Sequence, residues 1–510
     1  MKRRSRPIRK PPSKTKIKVS DSPYYIKTHF SDYFGVLPEL LADYGAFNVS
    51  LLSDLPLFID PFLLFNSKKQ EYRDLHDRVI TYLAFLRDKS AAQRLDQGLI
   101  RSWYRFPEIK QNWLGFSRKS NRGTGLGSDF AKALHKNLNL VFSDFGTEKV
   151  TKGSHLEKLC LFSDGVGKDH ISDFTTNLIQ EFLLEYTEKF ALEHIHPNLR
   201  RRTTVRRVVF NYVTESWESR TYHLPWFEGD HVLLTPKDML TQEDTWINRT
   251  DLLDEFEQLP YAIENISLRA QINNYFKKLL PEKFSAKEKR QAMVKTIGEY
   301  PQLIDYFIRL KEDHGDEARD ISALRVSDSN VLYVQQLKEL LSILSQDTAF
   351  YDLIGDTYEE ARQRVIFLKD VIENKDGYRI FYVKGEPLQR EADLQILFRL
   401  TWFGSPSDVN REVNNGRGPV DFKISKGAAN STLVEFKLAS NSHLKANLEK
   451  QLEIYQKASD AKKAIKVILY FTQSQKERVR GILEELKMLD DKNIVLINAR
   501  SDDKVSASKA

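Results

Sequence analysis

One cysteine, Cys160, stands among 510 residues. A single thiol forms no intrachain disulfide and builds no cysteine-based zinc site. The sequence therefore fits a reducing, cytoplasmic compartment and excludes a disulfide scaffold. Also missing is any run of about 18 uncharged apolar residues, the length that spans a bilayer. The most apolar N-terminal stretch, Leu55 to Phe65, is interrupted by Pro56, Asp60 and Pro61. The basic N-terminus has no apolar segment behind it, so a secretory signal is not expected. There is no internal repeat, and no low-complexity tract outside the first twenty residues. Apolar residues at 41% supply material for buried cores, which excludes a chain disordered throughout and collagen-like or mucin-like classes. The length suggests roughly two to four domains.

Acid is absent from residues 1–20, which hold nine cations between Lys2 and Lys18. The formal charge of +7 belongs to this tail, since residues 21–510 stand at −2. With Pro7, Pro11 and Pro12, the tail is expected to be disordered. It serves either as an arm attracting nucleic-acid phosphates or as a solubilising terminus.

Residues 21–250 read as an α+β domain. Leu75–Leu86 and Thr175–Ala191 predict helices. The basic, glycine-rich stretch Ser117–Gly127 has no Gly-Lys-Ser/Thr and no strand leading into it, and reads as a surface connection before a phosphate loop. Asp164, Asp169, His170 and Asp173 read as turn and cap residues rather than a metal site, with Ser172 or Asp173 capping the following helix. His194 and His196 read as a loop. Arg200, Arg201, Arg202, Arg206 and Arg207 stand in a strand candidate reaching Phe210. They suit a nucleic-acid groove or a charge-protected edge strand. Another pair of strands is expected around Gly229, from His223 to Leu234. Residues 251–385 read as a mainly helical connecting domain, with helices over Ala286–Tyr300 and Tyr333–Leu344 and no visible chemistry.

Residues 386–500 carry the chemistry, in the order αβββαβαβ. A helix over Gln389–Trp402 precedes strands at Val409–Val413, Val420–Ile424 and Thr432–Leu438, separated by turns at Asn414–Gly418 and Gly427–Ser431. A helix near Ala446–Ala458, a strand at Ile465–Phe471, an amphipathic helix through Val479, Ile482, Leu483, Leu486 and Leu489, and a strand at Ile494–Asn498 complete the unit. Period two puts Glu435 and Lys437 on one face of an otherwise apolar strand, where charges are costly without a role. Asp421 lies on the preceding strand of the same hairpin. Two adjacent carboxylates call for a cation, and a hard divalent ion, Mg2+ with Mn2+ as substitute, meets that need with oxygen ligands. Lys437 beside it can hold or help deprotonate a water, the arrangement needed for phosphodiester hydrolysis. Gln451 and Tyr455 share a helix face at i, i+4, Gln451 to bond a phosphate oxygen or a carboxylate and Tyr455 to orient it. Arg411 and Arg417 flank the first turn. Lys445, Lys450, Lys457, Lys462, Lys463 and Lys466 follow the third strand as candidate phosphate contacts.

Gly418-Pro419-Val420-Asp421, Glu435-Phe436-Lys437 and Gln451-x-x-x-Tyr455 together resemble the PD-(D/E)xK nuclease superfamily, in its RecB-like branch. Pro419 stands two positions before Asp421 rather than one. The resemblance is confined to residues 386–500. It implies an α/β restriction-endonuclease-like core, αβββαβ with an extra αβ, with Asp421 and Glu435 as metal ligands and Lys437 as the catalytic lysine. It further implies a first-helix acid as another ligand, by position Glu391, with Glu386 and Glu412 as competitors.

The expected organisation is a disordered basic tail at 1–20, an α+β N-terminal domain at 21–250, a helical domain at 251–385, the nuclease domain at 386–500 and a disordered tail at 501–510. The expected activity is divalent-metal-dependent hydrolysis of DNA, endonucleolytic before exonucleolytic. By analogy it serves defence against foreign DNA. The alternatives are a nucleic-acid-binding protein that keeps the fold without cutting, and a sensor or interaction protein acting through its N-terminal half. That half is also where a protein partner or a second copy of the chain would bind. No membrane partner is expected.

Overall fold

The structure is a computed structural model. It describes residues 26–92, 96–115, 131, 134–135, 138, 142, 145–162, 166–242, 244–353, 355–402, 408–411, 422–426, 430–449 and 464–504. The basic tail, the Ser117–Gly127 stretch and Asp164 lie outside the described residues.

A short strand β1 (Leu57–Ile59) is followed by the long helix α1 (Gln70–Ala92), which contains the expected Leu75–Leu86 segment. The segment expected to hold one helix from Thr175 holds two, α2 (Lys168–Leu178) and α3 (Gln180–His194). The N-cap of α2 is Gly167, not Ser172 or Asp173. Ser172 sits inside the helix because its hydroxyl accepts the Ile59 amide at 2.9 Å, tying α2 to β1. His196 accepts the Asn198 amide at 3.3 Å, as a loop residue does.

The arginine-rich segment forms β2 (Arg200–Asn211), paired antiparallel with β3 (Ser216–Phe227), which in turn pairs with β4 (Asp230–His231). The register shifts between Val205 and Val209. At this bulge Arg207 adopts a left-handed φ of 59°. Its guanidinium stabilises that unfavourable backbone by donating to the Ser102 and Arg105 carbonyls at 2.9 and 3.1 Å. Strand β5 (Leu240–Gln242) returns to pair with β1.

The chain then turns helical, with α4 (Ala286–Glu299) capped by Ser285, whose hydroxyl accepts the Glu288 amide in a capping box. The helix expected over Tyr333–Leu344 has a π-helical start, Val331–Gln336, continuing as an α-helix over Leu337–Asp347. Helix α5 (Thr357–Asn374) follows. Helix α6 (Glu391–Thr401) opens the C-terminal region.

Strands β6 (Asp408–Arg411), β7 (Phe422–Lys426), β8 (Asn430–Leu438), β9 (Ala464–Tyr470) and β10 (Ile494–Asn498) make one five-stranded sheet, in the spatial order β10-β9-β8-β7-β6. The first three form an antiparallel meander; β9 and β10 run parallel to β8. Parallel neighbours need crossovers. Residues 444–449 are helical between β8 and β9, and α7 (Gln473–Glu485) connects β9 to β10.

One face of this sheet carries Val434, Phe436, Leu438, Val467 and Ile497 and joins an apolar core that reaches back to Phe30. Helices α5 and α6 pack on it. The Phe398 ring stacks on Phe436 with centroids 3.8 Å apart, and the Thr357 and Thr432 hydroxyls share a hydrogen bond at 2.9 Å. Thus α5, which precedes residue 386 in the chain, is part of the packing around the C-terminal sheet. The other face holds Ile468, Tyr470 and Leu496, which close a smaller core with Leu444, Leu448, Val479 and Leu483. Residues 501–504, expected within a disordered tail, fold back: Lys504 donates to the Glu373 carbonyl at 3.0 Å and Asp503 accepts from Asn498 at 2.7 Å. Residues 505–510 lie outside the described residues.

Candidate active site

Alternation along β8 sends Val434 and Phe436 into the larger core and Glu435 and Lys437 to the opposite face. Glu435 is only 7% exposed. A carboxylate this buried needs a compensating charge, and Lys437 Nζ supplies one, 3.2 Å from Glu435 Oε1. The same ammonium lies 3.5 Å from Glu391 Oε2. Glu391 is the first residue of α6, where the helix dipole favours an anion. Asn441, three residues beyond β8, donates from Nδ2 to Glu391 Oε1 at 2.5 Å. Two carboxylates from separate elements therefore converge on one lysine.

A second lysine stands on the far side. Parallel register pairs Glu435 with Lys466 of β9, and Lys466 is buried. Burial lowers its pKa, while the Glu435 and Asp491 carboxylates oppose that shift. The expectation that Lys466 is a surface phosphate contact is thus corrected: it lies within the sheet, in electrostatic contact with Glu435. Helix α6 is itself anchored beside Glu391. Asp393 is buried, receives Arg390 in a two-pronged contact at 2.9 and 2.8 Å, and accepts the Tyr333 hydroxyl from the π-helical turn.

Of the residues singled out in the sequence, Glu391, Glu435 and Lys437 are brought together. Glu386 is exposed on the small hairpin Tyr382–Pro387. Arg411 ends β6. Lys445 is already met by carboxylates, Glu485 at 2.5 Å and Glu449 at 3.9 Å. Asp421, Glu412, Arg417, Lys450, Gln451 and Tyr455 lie outside the described residues, as do Lys457, Lys462 and Lys463. Sequence reading missed Asn441 and Asp393. Nothing near Asn441 announces it, and Asp393 is recognised only through Tyr333, sixty residues earlier. The signal for Lys466 was present: a lysine inside the apolar run Ile465–Phe471.

Among the described residues no three His, Cys, Asp or Glu side chains are grouped to hold a metal ion. Glu391 and Glu435 carry carboxylate oxygens, the donor type a hard divalent cation takes, and here those oxygens meet the Lys437 ammonium.

A second set of buried acids sits in the N-terminal half. Asp60 accepts the Phe62 and Trp246 amides at 3.0 and 2.7 Å. Glu312 accepts the Lys152 and Gly153 amides and His155 Nε2, at 2.7, 3.1 and 2.9 Å. Glu157 is fully buried, and burial together with the Asp60 carboxylate raises its pKa. Burial lowers that of His155. Asp173 is pushed up to about 7 by burial and by Asp169 and Glu108.

Residues 35–248 match a family described as a domain of unknown function (DUF8370), and residues 357–473 match a second domain of unknown function (DUF8371). The second match begins at the first residue of α5, the helix packed on the C-terminal sheet. No curated protein and no solved structure matches the chain. Among the described residues no helix is long and apolar enough to cross a membrane.

Proposed function

We propose that the chain is a divalent-metal-dependent nuclease of PD-(D/E)xK type, hydrolysing phosphodiester bonds with DNA as its substrate. The observation that carries this reading is Lys437 Nζ held between Glu435 and Glu391 on an otherwise apolar strand. A lysine shared by two carboxylates and still 15% exposed is a functional-site candidate. Glu391 and Glu435 would hold Mg2+, together with Asp421, the residue before Phe422, whose strand partner is Val434. A divalent ion bound there supplies Lewis acidity toward a phosphoryl oxygen.

The chain's own residues do the rest. Lys437 orients the attacking water and offsets negative charge as it builds on the phosphate. Asn441 fixes the rotamer of Glu391. Lys466 steadies Glu435 from the neighbouring strand. The order of elements, a helix followed by an antiparallel meander extended by parallel strands, is compatible with the fold that the resemblance implies. A role in defence against foreign DNA rests on analogy with a recognition region joined to a nuclease.

The test is incubation of wild type, Lys437→Ala and Glu435→Gln with plasmid, linear DNA, single-stranded DNA and RNA, with and without Mg2+. Metal-dependent cleavage by wild type and its loss in both variants is expected. Undiminished cutting by Lys437→Ala, or no cutting of any substrate by wild type, removes the proposal.

A further inference from the structure

The arginines of β2 divide into two groups. Arg200 and Arg207 are structural: Arg200 donates to the Ala191 carbonyl at 3.0 Å, and Arg207 binds two carbonyls and stacks on Trp217, its guanidinium carbon 5.1 Å from the ring centroid. Arg201, Arg202 and Arg206 stay on the surface. The Arg201 guanidinium carbon lies 4.3 Å from the Trp226 ring centroid, a cation–π contact. Arg202 and Arg206 are exposed and make no hydrogen bond or ion pair among the described residues.

We infer that the β2–β3 ribbon binds the sugar-phosphate backbone of nucleic acid, at a site separate from Glu435 and Lys437. Arg202, Thr204 and Arg206 alternate along one face of β2. Opposite them on β3 stand Thr221 and His223, the direct register partners of Thr204 and Arg202. The Thr204 and Thr221 hydroxyls share a hydrogen bond at 2.9 Å, so the middle of the face is a pair of hydroxyls with a guanidinium on either side. Arg202, Thr204, Arg206, Thr221 and His223 include no carboxylate. At the end of the row Glu188 accepts the His223 amide at 2.5 Å and pairs with the His223 ring at 3.3 Å. A strand advances about 6.7 Å per two residues, so the donors form a regularly spaced row suited to successive phosphates. Arginine and threonine are side chains that contact phosphate oxygens, and the planar guanidinium binds them bidentately. Charge that only protected an edge strand from aggregation would not need the central pair of hydroxyls.

This inference shares its ligand class with the nuclease proposal but does not depend on cleavage. The test is fluorescence anisotropy of labelled duplex DNA, single-stranded DNA and RNA with the full chain, in EDTA across a salt series. The proteins are wild type, Arg202→Glu/Arg206→Glu and Arg202→Lys/Arg206→Lys. The glutamate pair is expected to bind its preferred nucleic acid at least about tenfold more weakly, with the slope of log K against log salt reduced by about two. The lysine pair should keep most of the affinity. Which of the three probes binds best identifies the nucleic acid. A glutamate pair that binds all three like wild type, with the same salt slope, overturns the inference, as does a wild-type chain that binds none. A chain that binds through the ribbon yet never cuts with Mg2+ overturns only the nuclease proposal.

Discussion

Glu435 in the C-terminal sheet and Glu157 in the N-terminal half are both buried carboxylates, but their surroundings differ. Glu435 has Lys437 at 3.2 Å on its own strand and Lys466 as its register partner on the next. Among the described residues Glu157 has for a basic partner an imidazole, His155 Nδ1 at 3.9 Å, which burial drives toward its neutral form. There the proton, rather than a lysine, makes burial tolerable, and the raised pKa of Glu157 expresses this. Around Glu435, lysines meet the carboxylates, and the Lys437 and Glu391 side chains keep 15% and 12% of their surface exposed, within reach of a substrate. Around Glu157 the groups are sealed, and their bonds to backbone amides hold loops together. Buried charge alone does not mark a catalytic site. Accompanying cations and partial exposure separate the two.

The largest expected effect tests the first half of that contrast. Lys437→Ala should lower single-turnover cleavage per folded protein about 100- to 10,000-fold, and the urea midpoint should fall as well, because Glu435 and Glu391 lose their compensating charge. An equal loss of cleavage in a Glu157 variant would erase the distinction. Next comes Glu312→Ala, which leaves the Lys152 and Gly153 amides and His155 without their acceptor. Equilibrium urea unfolding should show a loss of about 3 kcal/mol, with cleavage by the remaining folded protein unchanged.

Asp393→Asn lies between the two regions in character, because Asp393 is a structural carboxylate two residues from Glu391. Losing its charge weakens the Arg390 contact and the acceptance of the Tyr333 hydroxyl. The expected result is about 2 kcal/mol of stability together with a drop in kcat, since α6 no longer holds Glu391 firmly. A stability loss with kcat intact would show that Glu391 is positioned by Asn441 alone.

The smallest effect concerns the proton-held acids. The native state keeps a proton on Asp173 up to about pH 7, while the unfolded chain releases it near the ordinary 3.8. Between those values the unfolded state binds fewer protons, so stability falls as pH rises and levels off above about 7. Asp173→Asn should flatten that fall and raise stability at pH 8, read from thermal midpoints over pH 4 to 8. Glu157→Gln should act in the same direction. A steeper fall in either variant would contradict a proton-held carboxyl.

Much of the C-terminal unit was legible because it is written in short-range patterns. The alternation Leu433-Val434-Glu435-Phe436-Lys437-Leu438 predicts two faces, and the structure has Phe436 under Phe398 with Glu435 turned away. The final strand, Ile494–Asn498, has the bounds its pattern suggests. The α2 region was misread because Ser172 and Asp173 resemble caps locally, whereas the Ser172 hydroxyl is used by β1, more than a hundred residues earlier. The arginines of β2 read alike in sequence. Only the bulge at Arg207 and the Trp226 ring separate those that hold the backbone from those left for solvent.

Residue order by itself determined that Glu435 and Lys437 share a strand face, that their neighbours are apolar, and that the net positive charge lies in the first twenty residues. Those are consequences of a two-residue period and of composition, which act within a few positions. Tertiary structure alone decided that Glu391 meets Lys437, that Lys466 stands beside Glu435, and that Asp393 is locked by Tyr333. Each depends on parallel register across a crossover, on a helix packed against the sheet, or on packing between distant helices. Such contacts bring together side chains whose separation along the chain carries no local signal.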